Sequence, residues 1–191
     1  MHEIIQKALG FAFDAHRHQF RKSTEIPYII HPLTVYSILS RYNLPEETRI
    51  AGLFHDLLED TEITPERIRD EFGENILELV LSTSEDRDSL LPEASTWKER
   101  KTHTISYLKE CSRLDTLAIA LVDKFDNLQS VYLDREVLGE EIWKRFNAPK
   151  SEQKWYYGEL SKVFSEKQEI VQHPISAIQI QFSNLYNSVF S

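Results

Sequence analysis

The stretch Ala51-Gly-Leu-Phe-His-Asp-Leu-Leu-Glu-Asp-Thr61 sets four groups able to bind a metal or move a proton, His55, Asp56, Glu59 and Asp60, inside an otherwise apolar segment. Read as one helix, it brings the four within about one turn of each other, because residues three and four apart share a face. Leu53, Phe54, Leu57 and Leu58 supply the burial, and a carboxylate buried among them without a partner would be costly. A divalent cation is the least costly partner. The adjacent His-Asp pair offers one imidazole nitrogen and one carboxylate oxygen, a mixed set that suits Mn, Fe, Co, Ni or Zn better than Mg or Ca.

Helices must position these groups. Ile4, Ile5, Ala8, Leu9, Ala12 and Ala15 recur at helical spacing and predict a first helix from Ile4 to His18, followed by a polar loop, Ser23 to Pro27. In Tyr28-Ile-Ile-His-Pro32 the proline suits the first turn of a helix and disfavours helical backbone before it, so His31 is expected at the entrance of a second helix, Leu33 to Tyr42. Pro45-Glu-Glu opens a third, running through His55-Asp56 to about Thr61. Thr64 caps a fourth with Pro65 at its first position, and Gly73 closes it as a left-handed cap. A short apolar helix around Ile76 to Leu81 precedes a polar loop, Ser82 to Ser95, that suits a cover over a site. Thr96-Trp-Lys-Glu99 resembles a capping box for a helix to about Lys109. The segment Leu117 to Val122 is apolar on all sides, which marks Leu114 to Leu128 as a central helix, with Asp123 at the end of the apolar run and Asn127 one turn beyond. Helices at about Glu136 to Phe146, Ser151 to Phe164 and Ile175 to Phe190 pack around the outside.

Gathered, His31, His55, Asp56 and Asp123 form a candidate set of ligands for one metal. Each also has an ordinary reading, the histidines as hydrogen-bonded core residues and Asp123 as a cap.

A chain of 191 residues with few glycines and prolines fits a single all-α domain over residues 1–191. Hydrophobic residues at 41% and charged residues at 28% exclude wholesale disorder. The net charge of −9 excludes a general nucleic-acid binder, since no basic excess is at hand to displace counterions from a phosphate backbone. A small anionic substrate stays compatible if a metal and a few placed Arg or Lys residues receive it. One cysteine, Cys111, suits a reducing compartment, and with no leader-like N-terminus and no membrane-length apolar run a cytoplasmic protein is expected.

His16-x-x-Gln19-x-Arg21-Lys22, Pro27-Tyr-Ile-Ile-His-Pro32, the 51–61 stretch, Phe72-Gly73 and Leu121-Val-Asp-Lys-Phe-Asp-Asn-Leu128 occur in the order seen in the HD superfamily of metal-dependent phosphohydrolases. Over residues 4–130 the chain resembles the hydrolase domain of the RelA/SpoT alarmone enzymes and their small stand-alone relatives, with residues 131–191 as peripheral helices. The resemblance implies an HD-domain helical bundle, with metal, usually manganese (Mn2+), on His31, His55, Asp56 and Asp123. It implies that Glu59 and Asp60 position or activate the attacking water. Arg21 and Lys22 match basic residues near the nucleotide, Asn127 a substrate-side asparagine, and Arg100 with Lys101 a basic pair contacting phosphate. Exposed or solvated positions are the bland reading for those four basic residues, and a surface carboxylate for Asp60. Two departures bear on specificity. Asp126 stands where the family often has His or Tyr, and the 82–95 loop, with Ser84-Glu-Asp-Arg87, lacks the lysine that usually follows the family's valine-threonine pair.

The activity implied is hydrolysis of the 3′-diphosphate of guanosine tetra- or pentaphosphate, releasing pyrophosphate and GDP or GTP. At this length no room remains for the synthetase and regulatory domains of the long members, so hydrolysis alone is expected. Alternatives are an HD enzyme acting on another phosphate ester, such as a nucleoside monophosphate or the 2′-phosphate of NADPH, and a nucleotide-sensing module without turnover.

Overall fold

The computed structural model describes residues 3–84 and 93–191, and the chain is all-α. Its helices are α1 (Glu3–Ala15), α2 (Ile30–Arg41), α3 (Glu46–Phe54), α4 (Leu57–Asp60), α5 (Pro65–Phe72), α6 (Glu74–Thr83), α7 (Glu93–Glu110), α8 (Leu114–Leu138), α9 (Lys150–Glu166), α10 (Gln168–Val171) and α11 (Ser176–Phe190), with a 3-10 segment, Gly139–Arg145, after α8. No strand forms among the described residues, where one isolated antiparallel bridge pairs Phe20 with Pro27. No described helix is long and apolar enough to cross a membrane.

The chain divides into two compact units, Met1–Ser84 with Ala118–Asp123, and Glu85–Leu117 with Lys124–Ser191. In the first unit α3 is buried nearly all round, through Ile50, Ala51, Leu53 and Phe54, and α1, α2 and α6 pack on it. Phe11 of α1, Phe54 of α3 and Phe72 of α5 meet with ring centroids 4.8–5.4 Å apart, tying three helices together. Each such buried ring contributes about 1.5–3 kcal/mol. Gly52 lets α2 approach, since a Cβ there would lie 2.4 Å from Leu39 Cδ1 and 3.2 Å from Val35 Cγ1.

In the second unit α9 and α11 pack through Tyr157, Phe164, Phe182 and Phe190. Trp97 of α7 meets Tyr156 of α9 with centroids 6.0 Å apart. Lys167 donates to the carbonyls of Lys109 and Cys111, both at 2.6 Å, which satisfies acceptors left open at the end of α7.

Several boundaries differ from the sequence expectation. The 51–61 stretch is two helices: α3 ends at Phe54, and α4 starts at Leu57. The first helix stops at Ala15, short of His18, and His31 lies inside the first turn of α2, which begins at Ile30. Gly73 has the positive φ expected, 92°, but its ψ of 165° is extended, so it both ends α5 and opens α6. Helix α7 begins three residues before Thr96, whose hydroxyl accepts from Arg100 Nε at 3.2 Å within the helix. Glu and Ala are good helix formers, so Glu93-Ala94 extends the helix at little cost. Helix α8 continues ten residues past Leu128 and stops only where Gly139 takes φ 58°. Of the expected loop from Ser82 to Ser95, residues 85–92 lie outside the described residues; its first two residues, Ser82 and Thr83, belong to α6, and from Glu93 it belongs to α7.

Candidate metal centre

Three elements of the first unit carry the cluster. The turn ahead of α2 brings in His31: its backbone N–H donates to the Tyr28 carbonyl at 3.0 Å. The junction between α3 and α4 carries His55 and Asp56. On a straight helix, neighbouring side chains diverge by about 100°. Here Asp56 has φ −97° and ψ −4°, and the helix breaks. The break lets Asp56 Oδ2 come within 3.1 Å of His55 Nε2. Asp123, buried like both histidines, ends the stretch of α8 that belongs to the first unit.

The ligand atoms of His31, His55 and Asp123 lie within 4.8 Å of one another and form a candidate metal site. The two Nε2 atoms are 3.1 Å apart. His31 Nε2 is 3.3 Å from Asp123 Oδ1 and 3.6 Å from Asp56 Oδ2, and His55 Nε2 is 3.6 Å from Asp123 Oδ1. Donors about 2.1 Å from one ion at tetrahedral or octahedral angles stand about 3.0–3.4 Å apart; the separations here, 3.1–3.6 Å, are close to that spacing, so the set could hold a single first-row divalent ion. The tautomer of His55 also fits. Its Nδ1–H donates to the Gly52 carbonyl at 2.8 Å, since a carbonyl can only accept, which leaves Nε2 as the candidate ligand atom.

Burial opposes charge on the His55 ring, but the Asp56 and Asp123 carboxylates outweigh it and hold that imidazole well above its ordinary range. Asp56 is the converse. Burial raises it, yet the charge and hydrogen bond of His55, with the charge of His31, hold its carboxyl well below the usual range. A positive charge is what this pocket favours.

The acidic pair follows on α4. Asp60 Oδ2 lies 3.2 Å from the Tyr28 hydroxyl, which donates to Asp56 Oδ2 at 2.6 Å. Glu59 is half-buried on the same short helix. Arg21 sits over the Tyr28 ring at 5.7 Å from its centroid, with exposed Lys22 next to it in the chain. The first unit thus gathers His31, His55, Asp56, Asp123 and Asp60, with Arg21 alongside Tyr28. Arg100 and Lys101 on α7 and Asn127 on α8 belong to the second unit, where Lys101 Nζ lies 5.2 Å from the Tyr156 ring centroid.

Sequence reasoning assigned no role to Tyr28, His16 or Gln19. Tyr28 touches two carboxylates. The Gln19 amide nitrogen donates to the Asp60 carbonyl, and its Oε1 lies 2.6 Å from His16 Nδ1. Their signal was present in the His16-x-x-Gln19 spacing and in the tyrosine three residues before His31, but the sequence alone gave neither a partner.

A family model for the HD domain matches residues 8–147. The chain belongs to the HD domain family. It is 37% identical over 142 residues to a guanosine-3′,5′-bis(diphosphate) 3′-pyrophosphohydrolase of Aquifex aeolicus, a match covering 74% of this chain and 20% of that protein. The chain therefore spans about a fifth of the length of that curated relative. A shorter relative, MESH1 of Xenopus tropicalis, named for the same activity, is 36% identical over 131 residues, covering 67% of this chain and 69% of that one. A crystal structure of a Listeria monocytogenes protein superposes with TM-score 0.71 at 34% identity, covering 84% of this HD chain and 98% of that one. A metazoan SpoT ortholog shares the fold, with TM-score 0.75 at 23% identity over 98% and 96% of the two chains.

Proposed function

We propose that this HD chain is a metal-dependent pyrophosphohydrolase that removes the 3′-diphosphate of guanosine tetra- or pentaphosphate, releasing pyrophosphate and GDP or GTP. The observation that carries the reading is the convergence of two imidazoles and two carboxylates on one point, with a second carboxylate pair on the adjoining helix. The names of the Aquifex and Xenopus relatives support the nucleotide. His31, His55, Asp56 and Asp123 would hold the cation, and their mixed donor set suits manganese among the transition ions. When bound, such a cation lowers the pKa of a water and polarises phosphoryl oxygens.

The chain's own groups supply the rest. Glu59 or Asp60 orients the water and takes one of its protons as the water oxygen bonds to the phosphorus nearest the ribose. The bond from that phosphorus to O3′ breaks, and the proton taken from the water passes from the carboxylate, directly or through solvent, to O3′, which restores the carboxylate. Arg21, Lys22, Arg100 and Lys101 offset phosphate charge and Asn127 contacts the substrate. The single cysteine, Cys111, supports a cytoplasmic setting.

The test is pyrophosphate release from guanosine tetraphosphate with and without Mn2+, for the wild type beside Asp56→Ala and Glu59→Ala. Metal-dependent release, lost in both variants, is expected. Release of orthophosphate from other esters, with none of pyrophosphate from this nucleotide, would retain a metal-dependent phosphohydrolase and discard the substrate.

A further inference from the structure

His16 is 1% exposed at the end of α1, and its two ring nitrogens stand in unlike surroundings. The Gln19 amide nitrogen donates to the Asp60 carbonyl, which can only accept, so Gln19 Oε1 faces His16. Oε1 can only accept as well. His16 Nδ1 therefore carries the hydrogen, and Nε2 is a bare lone pair. That Nε2 is buried, and no donor among the described residues reaches it.

The neighbouring donors are committed elsewhere. The Tyr28 ring lies 5.0 Å from the His16 ring, and its hydroxyl donates to Asp56. His55 Nδ1–H is held by the Gly52 carbonyl. The charges felt at the His16 ring are those of Asp56 and Asp60, with His55, and a carboxylate is an acceptor. Burial, the largest influence, keeps the ring neutral and the lone pair available. No donor among the described residues supplies a partner for Nε2, and a water molecule has the two O–H groups that a lone pair and nearby carboxylates would share.

We propose that His16 is a positioning residue of this site, fixing the Asp60 turn through Gln19 while its bare Nε2 accepts an O–H of a water molecule beside Asp56 and Asp60. The inference rests on the hydrolase reading for its consequence in turnover, but not for its geometry.

Two measurements test it. Two-bond 1H–15N correlation spectra of the full chain report the tautomer of each histidine. His16 is expected as neutral imidazole protonated on Nδ1; an Nε2–H tautomer or an imidazolium at pH 7 overturns the proposal. The kinetic test uses His16→Asn, whose amide reproduces the Nδ1 donor to Gln19 and lacks the Nε2 acceptor. With the helical spectrum unchanged, kcat is expected to fall roughly 10–100-fold, as for other groups that orient a metal site, with KM within about threefold. Wild-type kcat in His16→Asn means that Nε2 does nothing for turnover and overturns the proposal. His16→Phe, which keeps the ring volume and loses both nitrogens, is expected to fall further. If the wild type releases no pyrophosphate, the hydrolase reading fails, and the tautomer alone then decides the His16 assignment.

Discussion

Two residues at the cluster are held in opposite charged states that support each other. In the metal-free chain His55 is raised above its ordinary value of 6.5, so its contribution to stability is complete below that pH and is lost as pH rises through the raised value. Asp56 is lowered from its ordinary 3.8, so its contribution is present above that pH and is lost as pH falls through the lowered value. A cation on His55 Nε2 displaces the proton that raised state favours, so binding should release it. The gain in melting temperature from saturating Mn2+ is thus expected to grow from pH 6 to pH 8. A gain that is flat or shrinks would mean that His55 keeps its proton and is not a ligand. Tyr28 is the second residue whose loss is informative. Burial, reinforced by the charges of Asp56 and Asp60, keeps its hydroxyl protonated, so it can serve only as their donor. Tyr28→Phe is expected to cost about 1 kcal/mol of stability for the lost hydrogen bond and roughly 10–100-fold in Mn2+ affinity or kcat. Calorimetric titration with the metal and denaturant melts would separate the two effects.

At the scale of the elements, Gly52 does two things at once. Its missing Cβ lets α2 lie against α3, and its carbonyl fixes the tautomer of His55. Gly52→Ala places a methyl 2.4 Å from Leu39 Cδ1 and 3.2 Å from Val35 Cγ1, so either the buried Leu39 side chain turns or the helices part slightly. A loss of about 1–3 kcal/mol is expected by urea denaturation. Metal affinity should fall with it if helix separation carries His31 away from His55. A loss of stability with unchanged affinity would show that the cluster is set by the His55 tautomer alone. This element was legible in part. The helical period and the scarcity of glycine and proline gave the all-α class, and Thr64-Pro65 gave the start of α5 with its cap. The break between α3 and α4 was not legible, because Phe54-His-Asp-Leu57 contains no glycine or proline, and the kink is marked only by what the ligands require. The length of α8 was missed for a related reason. Beyond Leu128 the apolar period fades, since Val131 is buried but Leu133 and Val137 are exposed, so the sequence carries little sign that the helix runs on to Leu138.

For the whole molecule, the division into two units cuts through the middle of one helix. Helix α8 leaves the second unit at Leu117, contributes Ala118–Asp123 to the first, and returns to the second from Lys124. Helix propagation is cooperative, so neither unit can lose order without cutting a continuous hydrogen-bonded helix of 25 residues. We propose that residues 1–191 behave as a single HD domain. Scanning calorimetry should then give one transition whose van't Hoff and calorimetric enthalpies agree, and two separate transitions would refute it. The same connectivity bears on the site. A fragment ending at Ser84 keeps His31, His55 and Asp56 but lacks Asp123 and the buried Ile119, Leu121 and Val122 that complete the first unit. Losing that segment uncovers the apolar side chains it packs against, and a piece of this size has little margin to offset the entropy of ordering. The fragment is expected to melt without a cooperative transition and to show no stoichiometric Mn2+ binding by titration calorimetry. Cooperative melting with retained one-to-one binding would mean that three ligands suffice and that α8 is dispensable to the centre.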